Sequence, residues 1–280
     1  MNHPHMTAIV HGRMHRRRML EWLAGAGSFA LLTGCGSDDD TGVVVPPTPT
    51  PTPSPSPSPS PSPTPTCTAT APESNGDYPA DGSNIAPGAT SNVLARAEIQ
   101  RSDIRSSFLD TSTVAAGTEM RLTITIVDAV TCAPSSGRAV YIWQADAQGR
   151  YSLYTIPEES YLRGLQVTDT NGQVTFTTIV PGCLSGRYPH IYIEVFPNLF
   201  SANRGSNADL TTLLLIPGAV CTATYADTSL YPGSATNFGA ITMATDPELD
   251  DNTAAENAAR TLSATGSVSA GFDASITVTA

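Results

Sequence analysis

The sequence predicts an all-β fold: a sandwich of mostly antiparallel strands with long loops, preceded by a signal peptide and a proline-rich linker. Three observations predict it. Short runs of alternating, β-branched and aromatic residues recur from residue 67 onward. Asn171-Gly172, a tight-turn dipeptide, immediately precedes one of them. Long amphipathic helical patterns are not evident.

Residues 1–34 read as a twin-arginine-type lipoprotein signal peptide. An arginine cluster (Arg13, Arg16, Arg17, Arg18) precedes a mostly apolar run from Met19 to Leu32, shorter than the ~20 residues of a membrane span. Arg17-Arg18-Met19-Leu20 resembles the motif that exports folded proteins, often with a cofactor aboard. Leu32-Thr33-Gly34-Cys35 resembles a lipobox, which implies that Cys35 is lipidated and becomes the first residue. The expected location is the cell envelope, outside the cytoplasm, held to a membrane by that lipid.

Residues 35–66 form the lipidated start and a linker. From Pro46 to Thr66 nearly every second residue is proline, alternating with Thr or Ser. Proline fixes φ and lacks an amide donor, so helix and sheet are both excluded. A polyproline II spacer rises about 3.1 Å per residue, a reach on the order of 65 Å here.

Residues 67–280 are then the sandwich domain. Residues 120–127 (MRLTITIV) alternate apolar and polar side chains. Residues 139–145 (AVYIWQA), 173–180 (QVTFTTIV), 190–196 (HIYIEVF) and 210–216 (LTTLLLI) continue the strand series. Residues 266–279 can close as a hairpin around Gly271, and residues 256–262 make at most a helical turn. Cys67, Cys132, Cys183 and Cys221 lack any C-x-x-C pair; in an exported domain they predict two disulfides, with three pairings open.

Composition excludes several function classes. The 280 residues carry 14 basic and 25 acidic side chains for a net charge of −11. A nucleic-acid partner needs a basic face that this chain lacks. All basic residues are arginine, which removes Schiff-base and P-loop lysine chemistry. Loss of the signal takes four arginines and Glu21, so −11 becomes −14, and only His190 remains of the five histidines.

The chemistry-bearing segments are Trp143-Gln144-Ala145-Asp146 through Tyr151 and Pro181-Gly182-Cys183-Leu184 through Tyr192. On a strand, His190 and Tyr192 share a face about 6.6 Å apart, close enough to converge on one ion. Imidazole offers a neutral nitrogen, and a trivalent iron draws a phenol to its phenolate. Arg187, in the preceding loop, offers a permanent cation to an anionic substrate. A half-buried His and Tyr packed in a sandwich would leave the same pattern. Asp146 suits an Asx turn, Trp143 suits core or pocket wall, and Tyr154 and Tyr161 suit either a cleft or a surface. The acidic run 246–251 contains a proline and reads as a loop; calcium is the alternative there, without an EF-hand pattern.

These segments resemble the intradiol ring-cleavage dioxygenases, the ferric family that includes protocatechuate 3,4-dioxygenase and catechol 1,2-dioxygenase. The family pattern is W-Q-A-[DN]-x-x-G-x-Y, then T-x-x-P-G-x-Y, then G-R-x-x-H-I-H. In this chain the likeness begins loosely at 72–81 (PESNGDYPAD), continues through Gln100-Arg101-Ser102-Asp103-Ile104-Arg105 and Tyr161-Leu162-Arg163-Gly164, and is densest over 138–195. It implies a non-haem Fe(III) site built from two tyrosines and two histidines, acting on a small aromatic diol and O2. Tyr151 matches the first tyrosine, His190 the first histidine and Arg187 the arginine. Leu184 stands where the second tyrosine is expected and Tyr192 where the second histidine is expected. A remodelled Tyr151/His190/Tyr192 metal site, with Arg187 and Tyr192 in catalytic roles, is one consequence. The other is a surface-tethered binding or structural module that keeps the fold without turnover.

Overall fold

The structure, a computed structural model, describes residues 67–280. The export signal, Cys35 and the proline-rich spacer lie outside these residues.

Eight strands form two four-stranded sheets, in the orders β4-β1-β8-β7 and β3-β2-β5-β6. In the first sheet β1 (Glu119–Val127) runs antiparallel to β4 (Gln173–Ile179) and parallel to β8 (Gly271–Thr279), which pairs antiparallel with β7 (Ser263–Ser267). In the second, β2 (Ala139–Gln144) pairs with β3 (Arg163–Val167) and β5 (His190–Phe196), and β5 with β6 (Leu210–Leu215), all antiparallel. The expected all-β sandwich is present.

Sequence pattern explains which faces are covered. β1 alternates strictly, with Met120, Leu122, Ile124 and Ile126 turned into the core between the sheets and Arg121 outward. β2 and β5 are buried at every position. A strand covered on both sides reads as a continuous apolar run. Ile191, Ile193 and Val195 of β5 join Val140 and Ile142 of β2 in the inter-sheet core. The other face carries Tyr141 and Trp143 of β2 with Tyr192 and Phe196 of β5, packed against Ala80, Val93, Leu94 and Ile99 from the segment before β1. By period-two alternation, His190 and Glu194 lie on this second face. The polar side chains of β5 are therefore buried outside the sandwich, under a cover of loops.

That cover is pinned by hydrogen bonds rather than by regular structure. Thr70 donates to the Thr279 carbonyl and Glu73 to that of Thr211. The Arg260 guanidinium, 1% exposed, meets the Glu73 carboxylate at 2.5 Å. Arg163 fills five of its donor positions with the carbonyls of Tyr78, Pro79 and Ser152 and the hydroxyls of Tyr141 and Ser152. Arg101 binds the carbonyls of Ile104, Ser106 and Arg163 and stacks on Phe108. The residues of the QRSDIR and YLRG segments thus hold the cover down.

Several sequence expectations need correction. β3 is absent from the predicted strands because RGLQV has no strand periodicity; its pairing is imposed by β2, and Gly164 lets Ile104 approach where a Cβ would collide. Three short helices also appear: α1 (Gly218–Thr224), α2 (Ser234–Ala240) and α3 (Ala254–Arg260). α3 replaces the single helical turn expected over 256–262: Thr253-x-x-Glu256 forms a capping box that starts the helix three residues after the acidic loop. One disulfide replaces the expected two among the described residues: Cys67 joins Cys132, with Cα atoms 5.6 Å apart. Cys183 and Cys221 are free and buried. The Cys183 sulfur turns to the Arg187 carbonyl and that of Cys221 to Ile216, and burial pushes both thiols up to about 12.

Glu194 on β5 is 1% exposed and lies against the Asp81 carboxyl, which is fully buried. Burial and then the Asp81 charge raise the Glu194 carboxyl well above the ordinary range, and Tyr141 faces the same pair. A raised acid binds its proton in the folded state, so its contribution is present at low pH and is lost as pH rises through the folded value. Glu194→Gln will therefore unfold at higher temperature than the wild type at pH 8 and at a similar temperature at pH 5. Melting curves that shift equally at both pH values would contradict this.

Candidate metal centre

Tyr151, Arg187, His190 and Tyr192 come from two loops and one strand. After β2 the chain turns on Asp146, whose Oδ1 accepts the backbone N–H groups of Gln148 and Arg150. Its Oδ2 accepts the Arg150 guanidinium and the Tyr161 hydroxyl, so Asp146 and Tyr161 are structural. Tyr154 is structural too: its hydroxyl accepts Ala80 N–H and donates to Asn84. Tyr151 follows with its ring buried and packed at a tilt against Tyr78, centroids 4.7 Å apart. Its hydroxyl makes no hydrogen bond among the described residues.

Between β4 and β5 the chain makes a second turn. Gly186 adopts φ +76 and Arg187 N–H donates to the Leu184 carbonyl. Leu184 joins the apolar cluster on the outer face of the second sheet. The Arg187 guanidinium is held on two sides, Nε by Asp246 at 3.0 Å and Nη2 by Glu248 at 3.0 Å. Nη2 also donates to the Tyr192 hydroxyl at 3.2 Å, and that hydroxyl donates to Glu248 Oε2 at 3.3 Å. Arg187 Nη1 has no hydrogen bond among the described residues. Tyr188 faces away, its hydroxyl beside Gly218 and its ring against Phe238.

His190 is 6% exposed, and its Nδ1 lies 2.6 Å from the Tyr188 carbonyl. A carbonyl only accepts, so Nδ1 carries the proton and Nε2 presents a lone pair. That Nε2 is buried and has no partner among the described residues. Burial, helped by the Arg187 charge, lowers the His190 pKa to about 4, so the ring is neutral at physiological pH. Tyr192 lies edge-on to His190 at 4.6 Å and stacked on Trp143 at 4.9 Å, which makes Trp143 a wall. Burial drives the Tyr151 and Tyr192 phenols well above their ordinary pKa, so both are protonated when alone. Tyr151 feels the charges of Arg187 and Glu248, and Tyr192 feels Tyr151, which puts them in one electrostatic neighbourhood.

Sequence reasoning missed the cover. Asp246 and Glu248, from the acidic 246–251 loop, are buried against Arg187. Ser74 donates to Glu248 Oε1 at 2.8 Å, and Gly76 (φ +61) leaves no room for a Cβ against the Tyr192 hydroxyl. The available signal was PESNGDYPAD, whose glycine sits where backbone must touch a side chain. Gly76→Ala will displace Tyr192 and detach the 72–82 cover; tryptophan fluorescence from Trp143 should shift and proteolysis before β1 should speed up. An unchanged spectrum and digestion pattern would show that the close approach is unimportant.

Among the described residues, no group of three or more His, Cys, Asp and Glu side chains is arranged to hold a metal ion. The donors present are of another kind: one imidazole, two phenols and a carboxylate. An orphaned neutral nitrogen whose partner nitrogen is anchored to a backbone carbonyl is the arrangement of a metal-ligating histidine. Phenolate and carboxylate oxygens are hard donors suited to ferric iron. By donor type, His190 Nε2, Tyr151 Oη and Tyr192 Oη suit such an ion.

Residues 90–191 match a family model described as Dioxygenase. Over that segment the chain is similar to the dioxygenase family. The matched segment holds Tyr151, Leu184, Arg187 and His190 and stops just before Tyr192. An intradiol ring-cleavage dioxygenase from Tetranychus urticae shares the fold with a TM-score of 0.55, at 23% identity, covering 76% of this chain and 94% of that one. A second dioxygenase crystal structure aligns with a TM-score of 0.57 at 23% identity and the same coverage. No curated protein matches the sequence.

Proposed function

We propose that this chain is a non-haem ferric dioxygenase that uses O2 to open a catechol-type ring between its two hydroxyl-bearing carbons. The unpartnered, buried Nε2 of His190 carries the reading, set beside Tyr192 on a fold shared with a dioxygenase. Ferric iron, when bound, supplies a Lewis acid that activates a chelated aromatic diolate toward O2. His190 binds through Nε2 without having to lose a proton. Tyr151 and Tyr192 each release one from Oη to ligate, so uptake of the ion weakens as pH falls. Leu184 neither ligates nor takes a proton. With the Tyr188 hydroxyl beside Gly218, the phenol that remains to accept a substrate proton is Tyr192. Arg187, oriented by Asp246 and Glu248, presents Nη1 to an anionic substrate oxygen. Trp143 stacks on Tyr192 and excludes water behind it.

Ferric loading tests this. The wild type should retain iron by elemental analysis, turn coloured through tyrosinate-to-iron charge transfer, and consume O2 with catechol. A colourless, iron-free protein overturns the reading.

A second reading, a module without turnover, draws on Leu184 and on the Tyr192 hydroxyl already bonded to Arg187 and Glu248. Ring cleavage that appears only in a Leu184→Tyr, Tyr192→His double variant would favour it.

The proposal also hangs the domain outside the cytoplasm from a lipid on Cys35. The Cys67–Cys132 disulfide, right after the proline tract, supports an oxidising compartment. Radiolabelled fatty acid should enter the full chain and not its Cys35→Ser variant.

A further inference from the structure

We propose that the end of the sandwich opposite the candidate centre docks on the lipid surface to which Cys35 ties the chain, with Leu199 and Phe200 entering the interface and Arg96 and Arg204 meeting lipid phosphates. The contact rests on the Cys35 lipid proposed above and adds a non-covalent hold to it.

Topology fixes the two ends. His190 opens β5 beside Leu215, whereas Phe196 closes it beside Ala139, which pairs in turn with Val167. The rise of a strand puts these ends of β5 roughly 20 Å apart. Three loops gather at the Phe196 end. The Thr168 hydroxyl, after β3, donates to the Ser135 carbonyl before β2, and Asp209, before β6, pairs with Arg138. The tethered segment joins the domain here too. Cys67 is bonded to Cys132 in the β1–β2 loop, and Thr70 N–H donates to the carbonyl of Thr279, which pairs with Val127 at the end of β1.

This same end carries Val130, Val167, Leu199 and Phe200 among the exposed large apolar side chains. Phe200 is 91% exposed, yet its turn is well bonded: Asn198 Oδ1 accepts Ser201 N–H, the Ser201 hydroxyl donates to the Asn198 carbonyl, and Asn203 Nδ2 donates to that of Phe200. Leu199 and Phe200 line a cleft of about 400 Å³ with Leu94, Arg96 and Ala97. An apolar patch held in water by a bonded turn marks an interaction surface. Arg96 and Arg204 are exposed, and neither guanidinium has a hydrogen bond or ion pair among the described residues. Aromatic rings settle at headgroup level, and guanidinium groups bind phosphate in a bidentate fork. The phosphates of a zwitterionic bilayer suffice, so the acidic balance of the chain meets no net charge there. The tether makes the encounter intramolecular, at an effective concentration on the order of millimolar, so a weak patch is enough. Docked this way, the domain turns its candidate centre away from the bilayer.

The test uses the full chain, carried through export and reconstituted in phosphatidylcholine vesicles with or without bromine on the acyl chains near the headgroup. Phe200→Trp is compared with Val268→Trp, in the β7–β8 turn at the other end, after subtracting the emission of the unsubstituted chain. Bromolipid should quench Phe200→Trp at least ~2-fold more than Val268→Trp, because interfacial side chains sit about 5–10 Å into the headgroup boundary. Adding Arg96→Gln and Arg204→Gln should relieve that quenching; quenching left intact removes the arginines from the contact. Equal quenching at both positions, or none, in vesicles that hold the protein overturns the docking and leaves the Cys35 lipid standing. Emission that instead shifts to the blue as protein density on the vesicle rises assigns the patch to a second copy of the chain and also overturns it. Protein that does not float with the vesicles takes down the Cys35 reading and the docking together.

Discussion

Replacing His190 by alanine will cost at least ~100-fold in ferric affinity and abolish the visible absorption of the loaded protein. The imidazole is the sole neutral nitrogen donor in the centre, and its Nδ1–H bond to the Tyr188 carbonyl aims the Nε2 lone pair without a competing partner. The variant should nonetheless fold, because β5 is pinned by Ile191, Ile193 and Val195 in the core between the sheets. The wild type carries a further signature. A buried neutral histidine with a pKa lowered to about 4 binds fewer protons folded than unfolded once pH drops below its ordinary value near 6.5. Stability from this group is therefore present above that value and is lost as pH falls toward the folded value. His190→Ala should flatten that acid limb. Retained colour in the variant would remove histidine from the centre.

Arg163→Leu will destabilise the domain by roughly 3–5 kcal/mol, which for a domain of this size lowers the melting temperature by roughly 10–15 °C. The side chain is 1% exposed and binds five oxygen partners, three of them reached as the backbone carbonyls of Tyr78, Pro79 and Ser152. The Tyr78 and Ser152 carbonyls would lose this donor while Pro79 keeps the Tyr141 hydroxyl, and each buried carbonyl left unpaired costs about 1–3 kcal/mol. Arg163→Lys should be almost as damaging, since an ammonium cannot span a planar fork of partners. Because Arg163 ties the cover segment to β3, the same variants should loosen the Tyr78–Tyr151 contact and weaken iron retention secondarily. A melting temperature within a few degrees of wild type would show that water replaces the lost donor.

Most of the sandwich was legible because its strands obey simple patterns. β1 alternates, β5 is rich in β-branched and aromatic residues, and the glycine of Asn171-Gly172 adopts φ +72 as its turn demands. β3 was not legible, since its five residues are strand only by virtue of the neighbours that pair with them. α1 and α2 were missed for a related reason: seven residues such as GAVCTAT or SATNFGA carry too few turns to show a helical stripe. The four remaining cysteines looked equivalent in sequence; packing separated them into one bonded pair and two buried thiols.

The candidate centre divides in the same way. Residue types and spacing placed His190 and Tyr192 on one face of one strand and placed Tyr151, Leu184 and Arg187 in the turns beside it. That much follows from the two-residue period of a strand and from local turn chemistry. Which face is covered, and by what, was decided by contacts across long stretches of chain. Ser74 reaches Glu248 over a separation of 174 residues, and Asp246 reaches Arg187 over 59. A run of acids reads as solvated when taken alone, because charge is costly to bury without a partner. Only the folded chain supplies that partner, a guanidinium from a distant turn, and thereby converts a loop of carboxylates into a wall of the centre.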